Sequence, residues 1–416
     1  MRVALVSYRS KPHCGGQGVY VRHLSRELVE LGHSVEVFSG QPYPELDEGV
    51  ALTRVPSLDL YREPDPFRIP RPREFRDLVD VEEFLTMCTA GFPEPRTFGK
   101  RLLRVLRGRA GDFDVVHDNQ VLSPGVAALE QLGLPVLTTL HHPITFDRRT
   151  DLAAATTLRQ RLTLRRWYGF LGMQAKVARR ARWVLTPSES SRRDIARDFG
   201  VDPTRMQVVP LGVDDCFVPP TRPRVPGRIV AMASADAPMK GIATLLEAFA
   251  KLRTERTVQL LLVTRPTPGG RTERIVDHLG IAEHVSFVHG ISDAELVEVM
   301  GSAEVACVPS LYEGFSLPTA ELMACGTPLV VSRAGAIPEV VGPDGVCADL
   351  VEPGDVGELA VALEGLLDDP ERRERMGRSG RERARELFSW RAVARTTAAA
   401  YQHVIDDYRR TPRADR

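Results

Sequence analysis

Val308-Pro309-Ser310-Leu311-Tyr312-Glu313-Gly314-Phe315-Ser316-Leu317-Pro318-Thr319-Ala320-Glu321 sets two carboxylates, Glu313 and Glu321, eight positions apart around a loop that turns into a helix. Ser316 suits an N-cap, Pro318 is tolerated in a first turn, and Gly326 followed by Pro328 supplies a stop. The spacing therefore predicts a helix over 317–325. Its N-terminus suits an anion, because the amides of Gly314, Phe315, Ser316 and Leu317 and the helix dipole attract a diphosphate. Ionised Glu313 and Glu321 can only accept hydrogen bonds, so they suit hydroxyls on either side of that diphosphate. A sugar nucleotide has this layout.

Working outward, strand-like runs at 305–308 and 328–332 flank the motif, and others recur at 228–233, 258–263 and 285–288. Alternation of apolar runs with helix-length segments reads as a parallel sheet wrapped in helices. The Pro-rich stretch 218–226 is the clearest linker signal. Before it a first sheet is predicted, with runs at 3–7, 34–38, 115–117, 136–140 and 183–186. The expected division is 1–212, a linker 213–224, a second domain 225–388, and a terminal helix within 389–416 returning to the first domain. Residues 41–100, rich in Pro and charge, read as a long insertion with short helices only.

The 416 residues exceed one ordinary core, which agrees with two domains of about 200 residues each. Lys plus Arg equals Asp plus Glu, so no global field favours nucleic acid. Six cysteines are scattered without a C-x-x-C pair, which fits reduced thiols and a cytoplasmic protein. No apolar leader precedes the first strand, and no run approaches the roughly 18 residues of a membrane span.

These motifs resemble the retaining GT-B glycosyltransferases of family 4, over nearly the whole chain. Ser332-Arg333-Ala334-Gly335-Ala336-Ile337-Pro338-Glu339 has the family form as well. The resemblance implies an α/β GT-B fold, two Rossmann-like parallel-sheet domains facing across a cleft. It assigns Glu313 to hydroxyls of the transferred sugar, Glu321 to the ribose, Lys240 to the departing diphosphate and Gly16 to an approach to that diphosphate. His141 matches the family's cleft histidine, with a secondary, acceptor-side role for His142. The donor expected is a UDP-, GDP- or ADP-hexose, with no metal or other cofactor. The acceptor expected is a small molecule, a glycan or a lipid-linked species.

The chain departs from the family at Ser234-Ala235-Asp236-Ala237-Pro238-Met239, where an arginine usually precedes the lysine. Arg265, just past a strand, is the expected substitute; Arg333 is the other candidate. A nicotinamide-binding reading of Gly15-Gly16-Gln17-Gly18 fails, since Val21 replaces the last glycine and no acid ends the second strand. Asp112-Phe113-Asp114 precedes its strand and so lies at the edge away from ligands, whereas Asp118 at the other end is an acceptor-side candidate. His117, His141 and His142 could imitate a zinc site only if separate strand ends converge.

Residues 152–188 hold eight cations and no acid, interleaved with Trp167, Tyr168 and Phe170. That segment is a candidate for peripheral contact at the cytoplasmic membrane face, against a solvated helix whose aromatics pack inward. The activity expected is hexosyl transfer with retention. The alternative is a GT-B protein that binds a nucleotide sugar without transfer, or a GT-B epimerase or phosphorylase.

Overall fold

The computed structural model describes residues 1–11, 16–232 and 236–411. The chain forms two compact units, Met1–Val209 with Trp390–Arg416, and Pro210–Ser389. The stretch 213–224 therefore belongs to the second unit and is not a free linker.

The first unit carries seven strands: β1 Arg2–Ser7, β2 Ser34–Ser39, β3 Ala51–Arg54, β4 Val115–Asn119, β5 Val136–Thr139, β6 Val184–Thr186 and β7 Met206–Val208. They lie in the order β3-β2-β1-β4-β5-β6-β7, and every pairing is parallel. Helices cover both faces, which is why β4 and β5 are buried at every position and read as unbroken apolar or small-polar runs. The register sets Ser7 beside Ser39 and Asn119 beside Thr139. The carboxyl ends of β1, β2, β4 and β5 thus share one edge.

The terminal helix Trp390–Arg410 buries Trp390, Val393, Thr397, Tyr401, Val404 and Tyr408, a helical spacing of one face. Tyr401 hydroxyl lies 2.7 Å from His117 Nδ1, and His117 Nε2 lies 2.7 Å from Thr139 Oγ1. Both nitrogens of His117 are thus taken, and burial pushes its pKa down to about 3. His117 is a core pin between β4, β5 and the terminal helix. Among the described residues no three His, Cys, Asp or Glu side chains are grouped to hold a metal.

The insertion differs from expectation. It contributes β3 as an edge strand and a helix, Leu78–Cys88, of 11 residues, and it runs into a 14-residue helix, Glu94–Arg107. Buried Arg101 pairs with Asp80 at 2.6 Å and with Glu83, tying the two helices together.

The second unit has six parallel strands: β8 Val225–Met232, β9 Gln259–Val263, β10 Val285–Val288, β11 Ala303–Val308, β12 Leu329–Ser332 and β13 Asp349–Val351, in the order β10-β9-β8-β11-β12-β13. Ile229, Leu260, Leu262, Val305 and Val330 meet Leu245, Phe249, Leu363 and Leu366 in one core. The loops after β8, β9, β11 and β12 all leave from the same edge. Among the described residues no helix is long and apolar enough to cross a membrane.

Candidate active site

In the second unit, β11 ends at Val308 and the chain turns through Ser310 and Glu313 into the helix Leu317–Ala324. Lys240 Nζ lies 2.7 Å from Glu313 Oε1, and Ser310 Oγ donates to the same oxygen at 2.7 Å. The lysine closes the short turn Pro238–Lys240, and the next residue, Gly241, has φ +64°. A Cβ at Gly241 would lie 1.9 Å from the Pro309 carbonyl oxygen, so only glycine lets the two loops touch. Leu311 N–H donates to Met239 carbonyl at 2.7 Å, completing the seam.

The loop after β12 supports Glu313 from the other side. Ala336 N–H donates to Glu313 carbonyl at 2.9 Å, and Gly335 approaches the same carbonyl with φ +53°. Within that loop Arg333 is engaged, 3.0 Å from Asp344 and 3.3 Å from Glu352. Arg265, after β9, is exposed and has no hydrogen-bond or ion-pair partner among the described residues. Its loop is anchored by Asp236, which accepts from Thr267 N at 3.2 Å and Thr272 N at 2.9 Å. Of the two candidate cations, Arg265 is the unengaged one.

Ser316 does not cap the helix in the expected way. It adopts φ +82°, makes no side-chain cap, and its hydroxyl lies 2.8 Å from Thr319 Oγ1. A left-handed serine is a strained arrangement. Its consequence is that the Ser316 side chain does not cap the first-turn amides of this helix. The Phe315 ring turns inward onto Phe388, at 5.4 Å between centroids, so only its backbone is placed to meet an anion.

Glu321 lies on that helix, near Asp293 and Asp214. Burial first, and these two carboxylates second, push its carboxyl up to about 7. With the folded value above the ordinary one, the stability Glu321 contributes is full below its ordinary value of 4.5 and is lost as pH rises through about 7. A ligand that donates hydroxyls to Glu321 reverses that preference, because it binds the ionised form.

In the first unit, His141 follows β5. Its Nε2 lies 2.8 Å from Asn119 Oδ1, and its ring meets the edge of Tyr20 at 4.9 Å between centroids. With a carbonyl oxygen as partner, Nε2 carries the proton and Nδ1 is the acceptor. Burial, reinforced by His142, pushes the pKa down to about 3, so the ring is neutral. Gln120 clamps the dipeptide, its Oε1 accepting from His141 N at 2.7 Å and its Nε2 donating to His142 carbonyl at 2.8 Å. The His142 ring turns toward Asp147, at 3.8 Å.

Asp118 is corrected to a structural residue. It is 1% exposed, and its oxygens accept from Val121 N at 2.9 Å and Leu122 N at 3.1 Å. It holds a turn in which Gln120 and Leu122 take positive φ. Asn119 and Gln120 are the residues at this strand end that reach His141. Asp114 is indeed at the far edge, paired with Arg2 at 2.8 Å.

Gly16 begins the helix Gly16–Glu30 and is exposed, with nothing within 4 Å of an added Cβ. Pro12, His13, Cys14 and Gly15 lie outside the described residues. Gly18 is the crowded glycine: a Cβ there would lie 1.9 Å from Lys11 carbonyl oxygen. In the basic segment, Tyr168 is buried and Trp167 and Phe170 pack on Phe92. The helix Leu158–Trp167 therefore shows solvent its arginines with Leu158 and Leu162, 73% and 55% exposed.

Comparison with known proteins places this geometry. The description "Glycosyltransferase Family 4" matches residues 14–216 and "Glycosyl transferases group 1" matches 220–383. The chain is 60% identical to the MMP α-(1→4)-mannosyltransferase of Mycolicibacterium hassiacum, over 97% of this chain and 98% of that one. The chain belongs to the GT-B glycosyltransferases of family 4. Among solved structures of this fold, sucrose-phosphate synthase from Thermosynechococcus elongatus superposes with a TM-score of 0.74 at 25% identity, covering 98% of this chain and 99% of that one. The Anabaena protein HepE in complex with UDP-glucose gives 0.69 at 15% identity, covering 97% and 100%.

For a GT-B glycosyltransferase, the second unit offers a cation and the Glu313 carboxylate on neighbouring loops, helix amides that Ser316 leaves uncapped, and a second carboxylate, Glu321, on that helix. Those are the groups needed to hold a phosphate leaving group and hydroxyls beside it. The first unit offers a neutral imidazole with one acceptor nitrogen.

Proposed function

We propose that the protein transfers a mannosyl group from a nucleoside-diphosphate mannose to the 4-hydroxyl of a saccharide, with retention of configuration. The observation that carries this reading is the Lys240–Glu313–Ser310 cluster in the motif loops of a chain 60% identical to an α-(1→4)-mannosyltransferase. Without donor, Lys240 and Glu313 satisfy each other: the ammonium stands where sugar hydroxyls would donate, and the carboxylate stands where a phosphate would sit. On binding, Lys240 exchanges Glu313 for the diphosphate, and Glu313 is released to accept from the sugar. As the bond to phosphate breaks, Lys240 and the amides from Gly314 to Leu317 stabilise the growing charge. The departing phosphate oxygen takes the proton of the attacking hydroxyl on the same face. Neutral His141 and the open backbone at Gly16 are assigned to the same donor by family resemblance.

The test is transfer from UDP-, GDP- and ADP-mannose to a mannooligosaccharide, with the product's linkage and anomeric configuration read by NMR. An α-(1→4) product from one donor supports the reading. A β-linked product would overturn retention, and tight donor binding with no transfer favours the alternative of a non-transferring or epimerising GT-B protein, which the missing motif arginine supports.

Two further outcomes are expected. Arg265→Ala should weaken donor affinity by about tenfold, the loss of one charge-assisted contact of roughly 1.5–3 kcal/mol; unchanged affinity and turnover would remove Arg265 from the site. Donor affinity should also rise about tenfold between pH 6 and pH 8, as Glu321 ionises through its raised pKa. In Glu321→Gln that slope should be flat, and a slope equal to wild type would clear Glu321 of the role. A nucleotide sugar is the right probe, because its diphosphate does not itself titrate in this range.

A further inference from the structure

We propose that Tyr61, Phe67, Phe92 and Trp167, with Arg9 at their border, form a platform on the first unit that binds an oligosaccharide acceptor. The proposal rests on the transferase reading above and names the substrate class it serves.

Four chain segments bring these rings together. Trp167 lies 5.6 Å from Tyr61, 6.1 Å from Phe67 and 5.1 Å from Phe92 between ring centroids, and Tyr61 lies 5.4 Å from Phe67. A cluster of this size ordinarily closes over itself as core. Here every one of the four rings keeps exposed surface, and Phe67 is 58% exposed. Phe67 is also held at φ +64°, with its N–H donating to Leu60 carbonyl at 2.8 Å. A bulky residue held in the left-handed region is a strained backbone, and here it keeps an apolar ring at the surface.

A buried hydrogen-bond chain links the border of the platform to the strand end that carries His141. His141 contacts Asn119, Asn119 Nδ2 donates to Ser7 Oγ at 3.5 Å, and Ser7 Oγ donates to Arg9 carbonyl at 3.0 Å. Arg9 is the second residue after β1, and its guanidinium lies 5.8 Å from the Tyr61 ring centroid. Tyr8, its neighbour, meets Phe92 at 6.3 Å.

The rings, not charge, select the ligand. Arg9 Nη2 is paired with buried Glu94 at 3.3 Å, and Lys11 with Glu63 at 2.7 Å, while Arg166, beside Trp167, is exposed and donates to Thr89 Oγ1 at 3.1 Å. Ring faces suit the C–H face of a pyranose, and the rim of Arg9 suits its hydroxyls. An α-(1→4) linkage, the one in the relative's name, needs an acceptor sugar with a free 4-hydroxyl. An oligosaccharide meets both requirements.

The experiment titrates the intact protein with α-(1→4)-linked mannotetraose, and separately with an inositol phosphate, following tryptophan fluorescence, and measures transfer kinetics. Mannotetraose should perturb the signal saturably, and Trp167→Phe should abolish that perturbation. Phe67→Ala and Tyr61→Ala should raise the acceptor KM by about tenfold or more, as loss of a stacked aromatic anchor does, with donor KM unchanged. Phe67→Trp should restore it. Phe67 is exposed, so its variant tests the surface without emptying the core. Acceptor KM within twofold of wild type in both alanine variants overturns the proposal, as does preference for the inositol phosphate, or binding to anionic vesicles that Phe67→Ala removes with no saccharide response. Saturable Trp167-dependent binding without any mannosyl transfer would uphold the platform while sinking the transferase reading.

Discussion

Lys240→Ala is expected to lower kcat for mannosyl transfer by about 10²–10³-fold, the usual loss when one preorganised charge on a leaving group is removed. In the proposed mechanism the lysine acts late in the reaction. Its turn is fastened to the Glu313 loop by the Gly241–Pro309 contact and by the Leu311–Met239 hydrogen bond of 2.7 Å, so little reorganisation precedes charge development. Charge on the phosphate grows as the glycosidic bond lengthens, so kcat should fall more than donor affinity. Lys240→Arg should recover only part of the rate, because a planar fork does not reproduce a compact ammonium at this turn. The fold should survive: the pair with Glu313 is partly exposed, 31% on the lysine side, and such pairs contribute little. Steady-state kinetics beside a thermal melt decides the matter. A variant with kcat within about fivefold of wild type would remove Lys240 from the mechanism.

The second large effect is expected at a residue with no chemistry of its own. Gly335→Ala should lower both activity and stability, because its φ of +53° disfavours a side chain and an added Cβ would lie 2.2 Å from Glu313 carbonyl oxygen. The left-handed backbone alone costs about 1–2 kcal/mol. Relieving a contact with main chain adds to it, for a total of about 2–4 kcal/mol. A unit of this size should then lose roughly 5–15 °C in Tm. Because the atom struck belongs to Glu313, the relaxation moves the carboxylate, and a 1 Å misplacement can cost about 10²-fold in rate. Gly345 supplies the control. It has φ +77° but nothing within 4 Å of an added Cβ, so Gly345→Ala bears the backbone cost and leaves turnover near wild type. Equal Tm and equal turnover in the two variants would contradict the account.

The strands and the motif loops were legible in sequence because both are local signals. Val305, Cys307 and Val308, or Leu260 and Leu262, are apolar runs of strand length, and each is followed directly by the residues offered to a ligand. β3 was not legible, since an edge strand with pattern exposed, half-buried, half-buried, exposed has no buried face to mark it, nor were β7 and β13, whose three residues each are too short to stand out as a run. Ser316 misled for a different reason: cap preference is a weak local bias, and the neighbouring contacts hold the residue at φ +82°. Asp118 and Asn119 sit side by side at one strand end, where successive side chains take opposite faces. Position alone selected the wrong one, because the turn through Gln120 and Leu122 folds back onto the aspartate.

Periodicity, glycine placement and motif spacing by themselves determined two parallel-sheet units, the loops carrying Lys240, Glu313 and His141, and the helix carrying Glu321, since strand and helix formation answer to residues near in sequence. Which of those groups are engaged came from packing. Arg333 is held by Asp344 and Glu352 while Arg265 has no ion-pair partner among the described residues, burial and then Asp293 and Asp214 raise Glu321, and His141 is kept neutral by its burial beside Asn119. Charge interactions depend on separation in space and on exclusion of water, and residues far apart along the chain acquire both only when the backbone has brought them together.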